Sequence, residues 1–148
     1  MPSKDNVTDF ESILSKDGEL IFTSCGFSMY PLIRQSEDIL HIIKPSRPYK
    51  KQDVVLYKDR EHHYVLHRII KIKKNNTVIL AGDNNPFLDY PIQMDCILGL
   101  LKDITKKDGK TINMEKDNRF SGFLYVHFFY VKALFMKTFR FIRKIGKR

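Results

Sequence analysis

Short apolar runs, each bounded by residues that form turns, recur along most of this chain. They are four to eight residues long, which is the usual length of a β-strand and shorter than most helices. A chain of 148 residues with this pattern is predicted to be mainly β, folded as an antiparallel, partly closed barrel. The predicted strands are Glu19–Ser24, Ile39–Ile43, Asp53–Tyr57, Tyr64–Lys71, Thr77–Ala81, Ile97–Leu101 and Thr111–Met114.

The chain is predicted to divide into three parts around these strands. Residues 1–18 carry apolar residues at helical spacing and are predicted to form a short N-terminal helix that ends at Gly18. Residues 19–117 hold the strands and form the single domain expected for this length. Residues 118–148 are basic and rich in phenylalanine, and they are predicted to form a C-terminal amphipathic helix.

The positive charge of the chain is concentrated at its C-terminal end. The formal net charge is +9, but residues 120–148 carry seven Lys and Arg and no acidic residue, so residues 1–119 carry only +2. A nearly neutral body argues against nucleic-acid binding over the whole surface, and no nucleic-acid partner is expected. A Phe-rich helix with a basic face is typical of a membrane surface. Docking of this helix on the body is the alternative.

A serine lies in a stiff local sequence directly after the first predicted strand. Gly26 permits unusual backbone angles, while Pro31 fixes its own φ and favours extended backbone at the residue before it. A nucleophilic serine needs such a mount, with its hydroxyl near a base and a backbone N–H free to bind an oxyanion. On its own the pattern fits an ordinary serine turn equally well. The segment reads Cys25-Gly26-Phe27-Ser28-Met29-Tyr30-Pro31.

Two later segments supply the partners that a nucleophilic serine requires. His67 lies inside an apolar predicted strand, and the turn-forming run Gly82-Asp83-Asn84-Asn85 is followed by Asp89. A lone histidine in a strand is more often a core residue, but the two flanking segments favour a catalytic role. His62 and His63 are predicted to be solvated loop residues, because nothing spaces them as metal ligands.

These three segments, in this order, resemble the signal peptidase I superfamily, which also contains the LexA-like self-cleaving repressors. The resemblance runs from about residue 21 to residue 101, and its serine box matches Gly26, Ser28, Met29 and Pro31. Bacterial signal peptidases carry Lys-Arg where this chain has His67-Arg68. Histidine at that place is similar to the endoplasmic-reticulum and spore-former branch, which uses Ser-His-Asp. Gln52 stands where the family has a glycine before a strand.

The resemblance implies a barrel of the LexA and signal-peptidase type that carries a serine endopeptidase site without a cofactor or a metal. Ser28 is then the nucleophile and His67 the general base. Asp89 falls at the family's acidic position and is favoured as the third member, with Asp83 as the alternative. Arg68 is expected to be structural, pairing with an acidic residue such as Asp83 or Asp38.

The resemblance also implies a peptide substrate bound in extended form beside a strand edge. The substrate would be a signal or leader peptide or a small precursor, and residues 120–148 would bring the enzyme to a membrane surface. Residues 1–16 contain no apolar run of a secretory signal, so peripheral association on the cytoplasmic side is expected. A non-catalytic module of the same fold, binding a peptide at a membrane surface, is the rival interpretation.

Overall fold

The computed structural model describes residues 9–85 and 87–117. The predicted C-terminal helix over 118–148, with its membrane association, lies outside the described residues, and so does the N-terminal segment 1–8. Within the described part no helix is long and apolar enough to cross a membrane.

The described chain is mainly β, with one short helix, as the sequence pattern predicts. Helix α1 spans Phe10–Asp17; it is capped by the Asp9 carboxylate, which accepts the Glu11 N–H at 3.2 Å, and ends at Gly18 with φ +76°. The strands are β1 Glu19–Thr23, β2 Ile39–Ile43, β3 Val54–Lys58, β4 Tyr64–Ile72, β5 Thr77–Ala81, β6 Ile92–Gln93, β7 Ile97–Thr105 and β8 Thr111–Asn113; a 3₁₀ turn at Met94–Cys96 precedes β7.

The strands form one antiparallel sheet that curves into a half-barrel. Their order is β1-β2-β7-β3-β4-β5-β6, with β8 added beside β7. Strand β7 therefore lies between β2 and β3, although it comes late in the chain. Strands β1 and β6 end the order, and they are not paired with each other in the described residues. Among the described residues, the edge of β1 away from β2 pairs with no other strand.

The core lies on both faces of the sheet, and β3 contributes to both. Val54 and Leu56 belong to a first apolar cluster, while Val55 and Tyr57 belong to a second one, because alternate side chains of a strand point to opposite faces. Helix α1 closes the first cluster with Leu14, which is 1% exposed. Each large aliphatic side chain buried this completely stabilises the fold by roughly 1.5–3 kcal/mol. The middle of the sheet is consequently the rigid part, and β3 and β4 are well placed to carry a site.

The turn before β3 contains a residue in a conformation that glycine prefers. The Asp53 N–H donates to the Lys50 carbonyl at 3.2 Å, and Gln52, the third residue of this turn, has φ +80°. A positive φ at this position is typical of a type II turn, in which glycine is favoured. We therefore expect Gln52→Gly to raise the free energy of unfolding by about 1 kcal/mol, measured by urea denaturation. Lys51→Gly is the control, and it should lower stability; a destabilised Gln52→Gly would contradict the strain argument.

Candidate functional site

Ser28 lies on a compact turn that follows β1. The Tyr30 N–H donates to the Phe27 carbonyl at 3.1 Å, and the Ile33 N–H donates to the Met29 carbonyl at 2.9 Å. Met29 is 3% exposed and anchors the turn in the first apolar cluster. The turn begins after Gly26, whose φ of +114° is one that other residues rarely adopt. The Tyr30–Pro31 peptide bond is cis. Serine is thus held between a glycine and a buried methionine.

The loop after β5 clamps this turn from the other side. The Asn84 N–H donates to the Ser28 carbonyl at 2.7 Å. A Cβ on Gly82 would lie 2.6 Å from that carbonyl oxygen, and 3.0 Å from both the Ser28 Cβ and the His67 Nε2. Glycine is therefore required at 82 by space. Both 3.0 Å distances are measured from the same Cβ position on Gly82. The Ser28 Cβ and His67 Nε2 are therefore at most twice that distance apart.

His67 projects from β4 and is held by a carboxylate. Its Nδ1 lies 2.6 Å from the Asp89 Oδ2, and the imidazole is 8% exposed. Asp89 belongs to the loop between β5 and β6, where its own N–H donates to the Leu80 carbonyl at 2.8 Å. Because Nδ1 faces Asp89, Nε2 is the nitrogen on the Ser28 side. Within the described residues no hydrogen bond joins the Ser28 hydroxyl to His67.

Asp83, the other candidate acid, is engaged elsewhere. Arg68 Nε donates to Asp83 Oδ1 and a terminal guanidinium nitrogen donates to Asp83 Oδ2, both at 2.7 Å. The two side chains are 0% and 2% exposed. A further Arg68 nitrogen donates to the Gln52 carbonyl at 2.9 Å. Arg68 thus pairs with Asp83, one of the two acids expected from the sequence, while the other, Asp38, accepts Lys106 Nζ at 2.6 Å.

His67 and Arg68 are successive residues of β4, and this explains why one contacts Asp89 and the other Asp83. In the hairpin of β3 and β4, His67 is paired with Val55 and Arg68 with Val54. Side chains of neighbouring residues in a strand point to opposite faces, so the histidine and the arginine meet different parts of the loop after β5. The ion pair fixes the start of that loop at Asp83, and the imidazole meets the loop again at Asp89.

Tyr57 is a site residue that the sequence interpretation misses. Its hydroxyl donates to Asp89 Oδ2 at 2.9 Å, so this oxygen serves both Tyr57 and His67. Burial, together with the Asp89 carboxylate, raises the pKa of Tyr57 far above its usual value. The sequence offers only the alternation of Val55 and Tyr57 along one strand, and it is the pairing of β3 with β4 that puts both on the face of His67.

A groove of about 370 Å³ runs from Ser28 along the end of β1. Its walls are apolar and weakly polar side chains without a charged residue among them. The apolar part of the lining comes from Phe10, Phe22, Met29, Ile33, Leu56, Val65 and Leu66. Ser28 lines this groove, and its backbone N–H makes no hydrogen bond to any described residue.

Cys25 lines the groove beside Ser28, while the other histidine and cysteine side chains make no hydrogen bond to Ser28, His67 or Asp89 within the described residues. His62 and His63 are exposed in the turn between β3 and β4, as the sequence predicts. Cys25 and Cys96 are free and exposed thiols. Among residues 9–85 and 87–117, no group of three His, Cys, Asp or Glu side chains is arranged to hold a metal ion.

Comparison with known proteins adds no assignment to this geometry. No protein-family model matches the chain, and no curated protein sequence matches it significantly.

Proposed function

We propose that this chain is a serine endopeptidase of the signal-peptidase kind, with Ser28, His67 and Asp89 as its catalytic residues. The observation that carries the proposal is the position of His67, whose Nδ1 is bonded to Asp89 while its Nε2 faces Ser28 across Gly82. A nucleophile, a base and a group that orients the base are the parts that acyl transfer requires. The antiparallel half-barrel supports the proposal, because a partly closed antiparallel barrel is what the resemblance to this superfamily implies.

The reaction begins with attack by the Ser28 hydroxyl oxygen on the carbonyl carbon of the substrate peptide bond. His67 Nε2 accepts the hydroxyl proton, and Asp89 stabilises the resulting imidazolium through Nδ1–H. The tetrahedral intermediate then expels the amine, which takes the proton from His67. A water molecule, deprotonated by His67, attacks the acyl group on Ser28, and breakdown of the second intermediate releases the carboxylic acid and restores the serine hydroxyl.

The gap between Ser28 and His67 is compatible with this sequence of steps. In proteins without substrate, catalytic hydrogen bonds are often long and tighten only when the substrate binds. Rotation of the Ser28 side chain about χ1 changes the position of its oxygen while the backbone stays fixed by the Asn84 N–H. The Ser28 N–H is the oxyanion donor in this proposal, because it lacks another partner among the described residues and adjoins the groove.

The substrate in this proposal is a leader peptide or a small precursor in extended form. The open edge of β1 offers backbone groups to an added strand, and the groove beside it is apolar and uncharged. We further propose that residues 120–148 bring the enzyme to a membrane surface, which is supported by their seven Lys and Arg and their many Phe.

The decisive experiment is digestion of a peptide library, with and without lipid, analysed by mass spectrometry. Wild-type protein is expected to cleave a subset of peptides, while Ser28→Ala and His67→Ala abolish that cleavage by removing the nucleophile and the base. Ser46→Ala and His63→Ala are matched controls at exposed positions and should cleave like wild type. Cleavage that persists in Ser28→Ala would refute the proposal.

The absence of a direct Ser28–His67 hydrogen bond favours one second candidate, a module that binds a peptide without cleaving it. Such a module predicts that library peptides are retained unchanged by wild-type protein. It also predicts equal retention by Ser28→Ala, whose groove is the same. Quantifying bound and cleaved peptides in the same digest separates the two functions.

A further inference from the structure

The Tyr57 hydroxyl is the second donor to the carboxylate oxygen that binds His67. We propose that Tyr57 is a positioning residue, which fixes the Asp89 carboxylate so that Oδ2 stays directed at His67 Nδ1. This inference rests on the proposed peptidase function, and it adds a residue to the Ser28, His67 and Asp89 set. It is drawn from the hydrogen bonds and burial around Asp89.

Asp89 needs such support because of where it lies. It belongs to a loop of about ten residues between β5 and β6, and its neighbours Leu88 and Tyr90 are 47% and 72% exposed. Loop residues of this kind are held less firmly than residues within a sheet. One backbone bond, from the Asp89 N–H to the Leu80 carbonyl, ties this part of the loop to β5 but does not set the side-chain torsions of Asp89.

Tyr57, by contrast, is held firmly by its strand and by the side chains packed around it. It lies within β3, is 3% exposed, and packs in the second apolar cluster. Its ring centroid is 6.2 Å from that of His67, so both side chains stand side by side on one face of the sheet. The phenol therefore offers a hydrogen at a nearly invariant point. The Asp89 carboxylate accepts this hydrogen at 2.9 Å. Its orientation is therefore set by a residue of β3 as well as by its own loop.

The two donors bind the same oxygen of Asp89 without competing. A carboxylate oxygen has lone pairs for two donors, so the bond from Tyr57 does not displace the bond from Nδ1. Because burial and Asp89 raise the pKa of Tyr57, the phenol remains a donor throughout the pH range in which a peptidase works.

The test compares Tyr57→Phe with wild type, using peptides that the wild-type protein cleaves. Phenylalanine keeps the buried ring and removes only the hydroxyl. We expect kcat to fall about tenfold, as for the loss of a hydrogen bond to a charged group, with KM changed by less than about twofold. Tyr49→Phe is the matched control, since Tyr49 packs against the same apolar cluster, makes no hydrogen bond to Asp89 and should keep wild-type kcat.

A second readout does not depend on any substrate. Proton NMR of the free protein should show a downfield, hydrogen-bonded Nδ1–H of His67, assigned by its loss in His67→Ala. That signal should move upfield or broaden by exchange in Tyr57→Phe and stay in place in Tyr49→Phe. If no peptide is cleaved, the peptidase proposal fails while this signal still decides the role of Tyr57. An unchanged signal in Tyr57→Phe, or its absence from wild type, overturns the positioning role.

Discussion

Replacing Asp83 by asparagine is expected to lower the free energy of unfolding by about 3–5 kcal/mol. The Arg68 guanidinium is fully buried, and Asp83 neutralises it through two hydrogen bonds of 2.7 Å. Asparagine keeps the shape of the side chain but removes the negative charge, so the buried cation loses its paired counter-charge. Urea denaturation followed by circular dichroism measures the change, which is a large part of the roughly 5–15 kcal/mol that stabilises a typical domain.

The control for this prediction is an ion pair at the surface. Glu37 lies 3.4 Å from Lys107, and both side chains are well exposed. Glu37→Gln should therefore change stability by less than about 1 kcal/mol. If Asp83→Asn were as mild as Glu37→Gln, the Arg68–Asp83 pair would not hold the loop after β5 in place. The exclusion of Asp83 from the proposed catalytic residues would then lose its main support.

Local sequence pattern was sufficient to predict most strands. The bounds of β2 and β5, Ile39–Ile43 and Thr77–Ala81, are those expected, because apolar β-branched runs between turn residues carry a strong local signal. Strand β6 has only two residues, which is too short for any alternation to appear. Strand β7 runs on to Thr105 rather than ending at Leu101, because its polar second half pairs with β2 and β8.

The sequence pattern does not predict contacts between segments that are distant in the chain. The position of β7 between β2 and β3 depends on long-range pairing, which no local periodicity reveals. The choice between Asp83 and Asp89 was open for a similar reason. Both acids lie in one loop, and only the pairing of β3 with β4 determines which face of β4, and so which acid, His67 meets. Tyr57 joins the site through the same pairing.

Replacing Asp89 by asparagine is expected to separate catalysis from stability. We expect kcat/KM for a cleaved peptide to fall by about 10⁴-fold, because an amide can donate to His67 Nδ1 and so stabilise the tautomer that lacks a proton there. With its proton on Nε2, that imidazole cannot accept the proton of Ser28. The imidazolium formed during attack would also lack the charge 2.6 Å away that stabilises it.

The fold should tolerate this change, in contrast to Asp83→Asn. Asp89 is 20% exposed, and no fully buried cation depends on it, since its described side-chain partners are His67 and Tyr57. The amide nitrogen that faces His67 has a second hydrogen to donate to the Tyr57 hydroxyl oxygen, so the free energy of unfolding should change by about 1 kcal/mol or less. The two variants should therefore give opposite patterns in paired activity and unfolding measurements. An Asp89→Asn protein with near wild-type kcat/KM would show that His67 needs no carboxylate at this position, and Ser28 with His67 alone would then have to account for the cleavage.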